Sequence, residues 1–514
     1  MSRPEPRAWH LLAALLLGAA SVLAFAPFDG FPLLWLTLGG LFALLAIAAN
    51  GRSGARRGAL IGAAFGFGLF SCGVSWVYVS LSVFGGMPAV VAALCTFLFC
   101  AVLSLYPALA GALFVRFAPR GWWSRSLFFA ASWTLAEWLR GWVFTGFPWL
   151  AAGYSQGPSS PLSGFAPLVG VFGVSLLTAL LAAFLVCVLS RRAVTIASSA
   201  VLHRSRYDFV APLLCAGLLL AGGAALRQIQ WTSAQGEALS VTLLQGNVAQ
   251  DLKWRPEKFE ESLRTYYQLA HDNPAQLTVL PETALPAFLA QIPAEYLRAL
   301  KELAEREHGD LLFGVAAGDM KQYANAAISV GDSPQQRYSK SHLVPFGEFV
   351  PTGFAWFLAL ANIPMSDFTP GAIPQPPLQI AGQKVAVNIC YEDAFGEEII
   401  RALPEATLLV NLSNVAWFGD SLAPAQHLQI AQMRALETGR MMLRATNTGM
   451  TAIVGADGRV QAALKPFTRG ALRGEVRAYA GRTPYVRWGN RAAIVSALLL
   501  IVLLWRRKAA FPND

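Results

Sequence analysis

Charged side chains are scarce in this sequence, and they are unevenly placed. They make up 14% of the 514 residues, against 55% hydrophobic residues, and lysine is absent from the first 227 positions. So little charge excludes an ordinary soluble protein and indicates a membrane protein. Residues 228–490, in contrast, hold 22 basic and 25 acidic side chains, which is the balance of a water-soluble domain.

The net charge of +10 does not point to nucleic acid. It originates in residues 1–227, where fourteen arginines outnumber four acidic residues, and these arginines lie between apolar stretches. A nucleic-acid-binding protein would instead carry its basic residues as a patch on a soluble domain. We therefore predict no nucleic-acid partner.

Cysteine is scarce in the charged block. Of six cysteines, five (72, 95, 100, 187 and 215) lie in or beside apolar stretches, so Cys390 is alone between residues 228 and 490. There is no CxxC pair and no His/Cys spacing typical of a metal site, so we predict neither metal nor cofactor. A lone cysteine is usually a small packed residue, and only its neighbours can argue for reactivity.

Apolar stretches of about 20 residues, the length that crosses a bilayer, come before and after the charged block. The first resembles a signal peptide at Ala24–Ala26, but Pro27 and six further stretches before the charged block favour a transmembrane helix. The predicted spans are near Trp9–Phe28, Phe31–Asn50, Ala59–Leu81, Met87–Phe114, Trp122–Trp142, Leu162–Leu189, Phe209–Leu226 and Ala492–Trp505.

Arginine clusters fall in alternate connections between these spans, which places the amino terminus in the cytoplasm. We therefore predict a seven-helix membrane domain over residues 1–227 and an extracytoplasmic domain over residues 228–490. An eighth helix and a basic cytoplasmic tail occupy residues 491–514. Glu137 and Arg140 lie in the fifth span, and they are either a structural pair three residues apart on a helix or functional groups.

The charged block alternates short apolar runs with helical patterns, which is typical of an α/β layer fold. Its central run, Val385–Ile389, reads as a buried strand that ends abruptly in Cys390. An α/β fold places reactive groups at the carboxyl ends of such strands.

Two other predicted strand ends carry residues that suit chemistry with a thiol. The stretch LTVLPETALP supplies Glu282, and RYSKSHLVPFGEFVP supplies Lys340 and Glu348. Each alone is weak evidence, because most Glu and Lys side chains are solvated. Together they make a set: an ammonium favours the thiolate, a carboxylate takes and returns its proton, and the ammonium with a backbone N–H stabilises an oxyanion.

Histidine is dispensable in this scheme. We assign no role to the histidines at positions 271, 308 and 427, and His342 beside Lys340 is a weak candidate for a Cys–His pair.

The contexts PET, SK and CYE around Glu282, Lys340 and Cys390 resemble the Glu-Lys-Cys triad of the nitrilase superfamily. The strings LVPFGEFVP and SNVAWFGDS, with membrane helices on both sides, narrow the resemblance to the bacterial apolipoprotein N-acyltransferase family. It covers the chain nearly end to end. The implied fold is a polytopic helical membrane domain joined to an αββα sandwich.

The resemblance implies an activity as well. Cys390 would take an acyl chain, typically from the sn-1 position of phosphatidylethanolamine, as a thioester. It would pass that chain to the α-amine of a diacylglyceryl-modified cysteine that begins an apolipoprotein. The setting would be the outer face of the inner membrane, with the catalytic domain in the periplasm, and we expect a monomer.

Carried over by position, the resemblance makes Glu282 the general base, Lys340 the oxyanion stabiliser and Cys390 the nucleophile. Supporting residues would be Glu348, Tyr391 and Glu392, and pocket residues would be Trp254, Asn325, Trp417 and Phe418. Trp417 and Phe418 would otherwise be read as core aromatics. Val415 departs from the family pattern, which commonly has Asp there.

Two other functions compete. A membrane-tethered nitrilase-type amidase would share the triad and use water in place of the amine. A transporter or receptor would carry charges along a membrane path, and apart from Arg125 at the start of its span only Glu137 and Arg140 lie within a predicted span.

Overall fold

The computed structural model describes residues 8–50, 54–117, 119, 121–197, 207–250, 255–319, 321–351, 353 and 367–510. The chain divides into two compact units. The first comprises Met1–Ser75, Ala93–Gln230 and Trp488–Asp514, and the second comprises Trp76–Ala92 and Trp231–Arg487. The short segment Trp76–Ala92 therefore belongs with the charged block, although the sequence pattern placed it among the membrane helices.

The first unit is helical, and this follows from its long apolar runs, since a helix satisfies every backbone polar group within one segment. Up to residue 226 the helices are α1 (Ala8–Ser21), α2 (Phe31–Asn50), α3 (Ala55–Gly73), α4 (Trp76–Val79, in the second unit), α5 (Ala89–Phe117), α6 (Trp122–Arg140), α7 (Ala166–Ala197) and α8 (Tyr207–Leu226).

Three stretches in the described part are long and apolar enough to cross a membrane: Phe31–Ala49, Ala89–Phe117 and Pro161–Leu189. A fourth would be α3 together with Trp76–Phe84, a pair bent by 49°. Shorter apolar helices occupy Ala8–Ala24 and Val210–Leu226. These helices make the chain a membrane protein, although fewer of them meet this criterion than the eight predicted spans.

The predicted span Ala59–Leu81 is not one straight helix. The α-helix ends at Gly73, and after a break α4 leads into a π-helical turn over Ser80–Phe84. Such turns are rare and often occur at functional sites.

Glu137 and Arg140 bind the backbone of an irregular segment with short 3-10 turns that follows α6. The Arg140 Nη1 donates to the carbonyl groups of Phe147 and Trp149, at 2.5 Å each. The Glu137 Oε1 accepts from the backbone N–H of Ala152 at 2.9 Å. Irregular backbone is tolerated at membrane depth only where protein satisfies its polar groups. Both side chains therefore stabilise the backbone of this segment through hydrogen bonds.

The second unit contains two mixed β-sheets. The first sheet runs in the order β13-β1-β2-β4-β5-β6, with β3 beside β4, and the second in the order β12-β11-β10-β9-β8-β7. The strands are β1 (Thr232–Gln245), β2 (Leu277–Val279), β3 (Leu285–Phe288), β4 (Asp310–Gly318), β5 (Tyr323–Gly331), β6 (Arg337–Ser339), β7 (Leu378–Ile380), β8 (Gln383–Ile389), β9 (Leu408–Ser413), β10 (Met442–Thr446), β11 (Ala452–Val454), β12 (Val460–Ala463) and β13 (Gly470–Gly481).

The two sheets face each other across the main apolar core. Alternate residues of one strand point to opposite faces, so Val385, Val387 and Ile389 of β8 enter this core while Ala386 lies on the other face. Helices cover the outer faces: α9 (Pro256–Asp272) and α10 (Ala294–Arg306) on the first sheet, α11 (Gly396–Ile399) and α12 (Ala423–Thr438) on the second. The layers are thus α, β, β, α. The remaining helices are α13 (Pro484–Trp488) and α14 (Arg491–Ala510).

Strands β8, β9 and β10 are parallel neighbours. Their carboxyl ends therefore meet at one edge of the second sheet, which is where an α/β fold gathers functional side chains.

Candidate active site

Cys390 is the residue that directly follows β8. It has φ +54°, in the left-handed region that non-glycine residues rarely occupy. Such a conformation costs on the order of 1–3 kcal/mol and persists only where surrounding contacts hold it. The residue is partly exposed.

Lys340 lies just after β6 and is 1% exposed. Its ammonium is 2.7 Å from the Glu348 Oε2 and 3.7 Å from the Glu282 Oε1. A buried ammonium is tolerated only with such partners. The structure therefore brings together three of the predicted residues, from segments far apart in the sequence.

Asn325 joins the two carboxylates. Its Nδ2 donates to the Glu282 Oε1 at 2.7 Å and to the Glu348 Oε1 at 2.9 Å. The other oxygen of each carboxylate accepts a backbone N–H, from Asn414 for Glu282 at 2.7 Å and from Val344 for Glu348 at 2.9 Å. Asn325 was predicted to line a substrate pocket, and these contacts show that it orients the two carboxylates.

The electrostatics of the thiol differ from the simple expectation. Burial and the carboxylates of Glu282 and Glu348 raise the pKa of the Cys390 thiol well above its usual range, although Lys340 acts to lower it. Burial alone would lower the pKa of Lys340, but Glu348, Glu282 and Cys390 together raise it. The resting pair is therefore a neutral thiol beside an ammonium. Such a thiol needs a base to remove its proton when it attacks.

The carboxylate of Glu392 accepts hydrogen bonds mainly from backbone N–H groups. It accepts from the N–H groups of Ser341 (2.7 Å), His342 (3.1 Å) and Ile389 (2.7 Å), and from the Tyr338 hydroxyl. These bonds tie the loop that carries Lys340 to the end of β8. Glu392 therefore supports the site by setting the Lys340 loop against Cys390.

Tyr391 belongs to a small aromatic cluster. Its ring centroid lies 5.1 Å from that of Phe395 and 5.9 Å from that of His342, and His342 stacks on Phe395 at 3.7 Å. The His342 Nδ1 lies 3.2 Å from the Glu398 carboxylate. His342 thus pairs with a carboxylate and aromatic rings, and this environment is not that of a Cys–His pair.

Trp417 and Phe418 contact the segment that contains the π-helical turn. Phe418 packs on Trp76 at 4.7 Å between centroids and Trp417 on Phe84 at 6.4 Å. The Ser80 hydroxyl donates to the Trp417 carbonyl at 2.8 Å. The turn that carries both aromatics follows Asn414, whose N–H donates to Glu282, so the segment is linked indirectly to that carboxylate.

Two other positions complete the predicted set. Val415 is 1% exposed and adjoins the Asn414 N–H, so this position is a buried one in the present chain. Trp254 lies outside the described residues. Among the residues that are described, no group of three or more His, Cys, Asp or Glu side chains could hold a metal ion.

Sequence reasoning missed a second polar cluster around the Cys390 backbone. It consists of Asp393, Asn411, His427 and Arg444, all 1% exposed or less. His427 received no role from its sequence neighbours, yet its Nε2 is 2.7 Å from Asp393. One signal was available: an arginine in the middle of the buried strand MLRAT requires a partner.

Comparisons with known proteins give matches in both parts of the chain. The family model described as the apolipoprotein N-acyltransferase N-terminal domain matches residues 17–184, and the carbon-nitrogen hydrolase model matches residues 224–485. The chain is 48% identical to the apolipoprotein N-acyltransferase of Nitrosomonas europaea over 98% of both chains. It is 46% identical to the one of Chromobacterium violaceum, over 97% of this chain and 94% of that protein.

Proposed function

The chain belongs to the apolipoprotein N-acyltransferase family, enzymes whose function is acyl transfer to lipoproteins, and we propose that Cys390 carries the acyl group. The observation that supports this most is the convergence of the buried Lys340 with Glu282 and Glu348 at the site of the one cysteine between residues 228 and 490. The pKa of Cys390 is influenced by all three charges, so the thiol lies within their electrostatic reach.

The first half-reaction forms a thioester. The Cys390 Sγ attacks an ester carbonyl of the phospholipid while Glu282 takes the thiol proton. The negative charge on the carbonyl oxygen is stabilised by the Lys340 ammonium and a backbone N–H. As the tetrahedral intermediate collapses, the C–O bond breaks and the lysophospholipid alkoxide receives the proton from Glu282.

The second half-reaction uses the thioester. The neutral α-amine of the acceptor cysteine attacks the thioester carbonyl, the C–S bond breaks, and an amide forms. The amine loses one proton, which Glu282 takes and returns to the departing thiolate. A thioester divides one difficult exchange into two easier steps with a ping-pong order.

The proposed donor and acceptor both carry lipid chains, which places the reaction at a membrane. We propose phosphatidylethanolamine as donor and a diacylglyceryl-modified apolipoprotein as acceptor. We further propose eight membrane spans in the inner membrane, with residues 228–490 on the periplasmic side. The arginine-rich alternate connections and the apolar helices support this topology.

The test is acylation of purified full-length protein. After incubation with phosphatidylethanolamine in detergent micelles, intact mass should increase by one acyl group, and the adduct should disappear in Cys390→Ser. Cys215→Ser, at a partly exposed helix cysteine, is the matched control and should keep it.

Addition of a diacylated lipopeptide should then release the enzyme and give an N-acylated peptide. Free fatty acid in place of that amide would favour the amidase, and an unchanged adduct in Cys390→Ser would exclude this nucleophile.

A further inference from the structure

The peptide carbonyl of Cys390 is held by two buried side chains. The Asn411 Nδ2 donates to it at 3.1 Å, and the His427 Nε2 lies 3.2 Å from it. Asn411 belongs to β9 and His427 to α12, so both come from elements that the local sequence around Cys390 does not include.

The ion pair between Asp393 and Arg444 links these two donors. The Asp393 Oδ1 is 2.7 Å from the His427 Nε2, and its Oδ2 accepts from the Arg444 Nη1 at 2.7 Å. The same Nη1 donates to the Asn411 Oδ1 at 2.8 Å. Together with the Cys390 carbonyl, these groups form a closed ring, which we call the carbonyl ring.

The protonation of His427 follows from its contacts. Its Nε2 faces a carboxylate and a carbonyl, which only accept hydrogen bonds, so the Nε2 carries hydrogen. Burial and the nearby Arg444 lower the pKa of His427, so the ring is neutral at neutral pH. His427 is therefore a donor and does not act as a base on the thiol.

A cluster of this kind is costly to bury. Each ion of a buried pair loses its hydration, and apolar residues would pack a sheet at least as well. The structure nevertheless places the carbonyl ring at a residue whose φ of +54° itself needs external support.

Peptide geometry gives the ring a consequence at the reacting atoms. A trans peptide unit is planar, with its C=O and N–H pointing in opposite directions. The carbonyl of Cys390 and the N–H of Tyr391 belong to the same unit. Holding the carbonyl toward Asn411 and His427 therefore directs the Tyr391 N–H away from them.

We propose that the carbonyl ring of Asn411, His427, Asp393 and Arg444 is a positioning device that aims the Tyr391 N–H at the oxyanion of the tetrahedral intermediate. This inference rests on the proposed role of Cys390 as nucleophile. The four are positioning residues, because they reach the reacting atoms only through the peptide unit. Lys340 stabilises the same oxyanion from a separate element.

The experiment uses full-length protein with altered donors. His427→Leu removes one donor to the carbonyl, and Asn411→Asp replaces the other with an acceptor. His427→Gln restores an N–H at the end of a side chain and serves as the conservative variant. Thr438→Val is the matched control, because it removes a buried hydrogen bond of α12 to the Arg434 carbonyl, outside the ring.

Two reactions of the same thiol are then compared. Acylation by phosphatidylethanolamine passes through an oxyanion, whereas alkylation by iodoacetamide is a direct displacement that forms none. We expect His427→Leu and Asn411→Asp to slow acylation at least tenfold and to leave alkylation of Cys390 within threefold of the unaltered protein. Peptide mass spectrometry restricts the second measurement to Cys390. His427→Gln should recover most of the acylation rate, and Thr438→Val should change neither rate.

The possible outcomes distinguish a failure of the positioning inference from a failure of the proposed function. Acylation at the unaltered rate in both donor variants would overturn the inference, and so would a parallel loss of acylation and alkylation, which is the result for a merely structural cluster. If unaltered protein is alkylated at Cys390 but never acylated, the proposed function is wrong.

Discussion

Two buried clusters of charge meet at Cys390, and they are built from the same kinds of groups. One joins Lys340 to Glu282 and Glu348 through Asn325. The other joins an arginine to an aspartate, an asparagine and a histidine in the carbonyl ring. Each therefore has a cation, a carboxylate and an amide in a water-poor setting. They differ in which part of Cys390 they influence.

The Lys340 cluster acts on the thiol, whereas the carbonyl ring acts on the backbone. An ammonium on a flexible stem is a point charge that can serve a reacting atom. A planar guanidinium binds carboxylate and amide oxygens in fixed directions, which suits a framework. The comparison indicates that residue types alone do not separate a reactive cluster from a positioning one. The two clusters are distinguished by the part of Cys390 that each one influences.

The largest effect is expected from a substitution in the cluster of Lys340, Glu282 and Glu348. Lys340→Ala should abolish the acyl adduct, because removal of one oxyanion donor typically costs about 100- to 1000-fold and the buried carboxylates also lose their cation. It should also slow alkylation of Cys390 at pH 8, since Lys340 lowers the pKa of that thiol. Intact mass and alkylation rates measure both.

The controls for this prediction are Lys301→Ala, at an exposed position of α10, and Arg444→Lys, which keeps a cation in the carbonyl ring. Both should retain a measurable adduct. Equal loss in Lys340→Ala and Arg444→Lys would contradict the distinction between the clusters.

A smaller effect is expected from Asn325→Asp. The new carboxylate would face those of Glu282 and Glu348, so like charges would compete for Lys340. We expect acylation at pH 7.5 to fall about 10- to 100-fold, in line with loss of an oriented base, and to recover partly at pH 6 as one carboxylate takes a proton. Acyl-adduct rates across this range measure it.

Asn273→Asp, at the end of α9, makes the same chemical change away from the site and should leave the rates unaltered. A pH profile of Asn325→Asp parallel to that of the unaltered protein would show that Asn325 does not orient the carboxylates.

The segment Trp76–Phe84 should give a weaker effect, because it is linked to Glu282 indirectly, through the Trp417 turn and the Asn414 N–H. Ser80→Ala removes the bond to the Trp417 carbonyl, and Trp76→Phe removes the 3.2 Å bond to Gln426 while keeping an aromatic ring on Phe418. A hydrogen bond contributes about 0.5–1.5 kcal/mol, so each change should slow acylation about two- to tenfold.

Ser333→Ala removes a comparable bond, to Asp310, in the loop between β5 and β6, and it is the control. An unaltered acylation rate in both Ser80→Ala and Trp76→Phe would show that the segment Trp76–Phe84 does not influence acylation.

The smallest expected effect concerns stability. The pKa of His427 is lowered in the folded protein, so its contribution is present above the unfolded value of about 6.5 and is lost as the pH falls below it. The difference in melting temperature between unaltered protein and His427→Gln should therefore shrink from pH 7.5 to pH 5.5. A constant or growing difference would mean that His427 is protonated within the fold.

Much of the reactive cluster could be predicted from the sequence. Cys390 and Glu282 each come at the end of a short apolar run, and Lys340 comes in the motif RYSK. Apolar runs mark buried strands, and an α/β fold places reactive groups at the carboxyl ends of such strands. The low charge of residues 1–227 likewise determined that the chain is a membrane protein, since a bilayer core admits few ionised groups.

The carbonyl ring and the segment Trp76–Ala92 were decided only by the tertiary structure. Asn411, His427 and Arg444 meet at Cys390 because β8, β9 and β10 lie side by side in parallel and α12 covers their sheet. No local pattern encodes that order, because hydrogen bonding between strands depends on backbone groups that every sequence shares. Residue types and spacing therefore determined which groups could react, and the order of the strands decided which groups hold them in place.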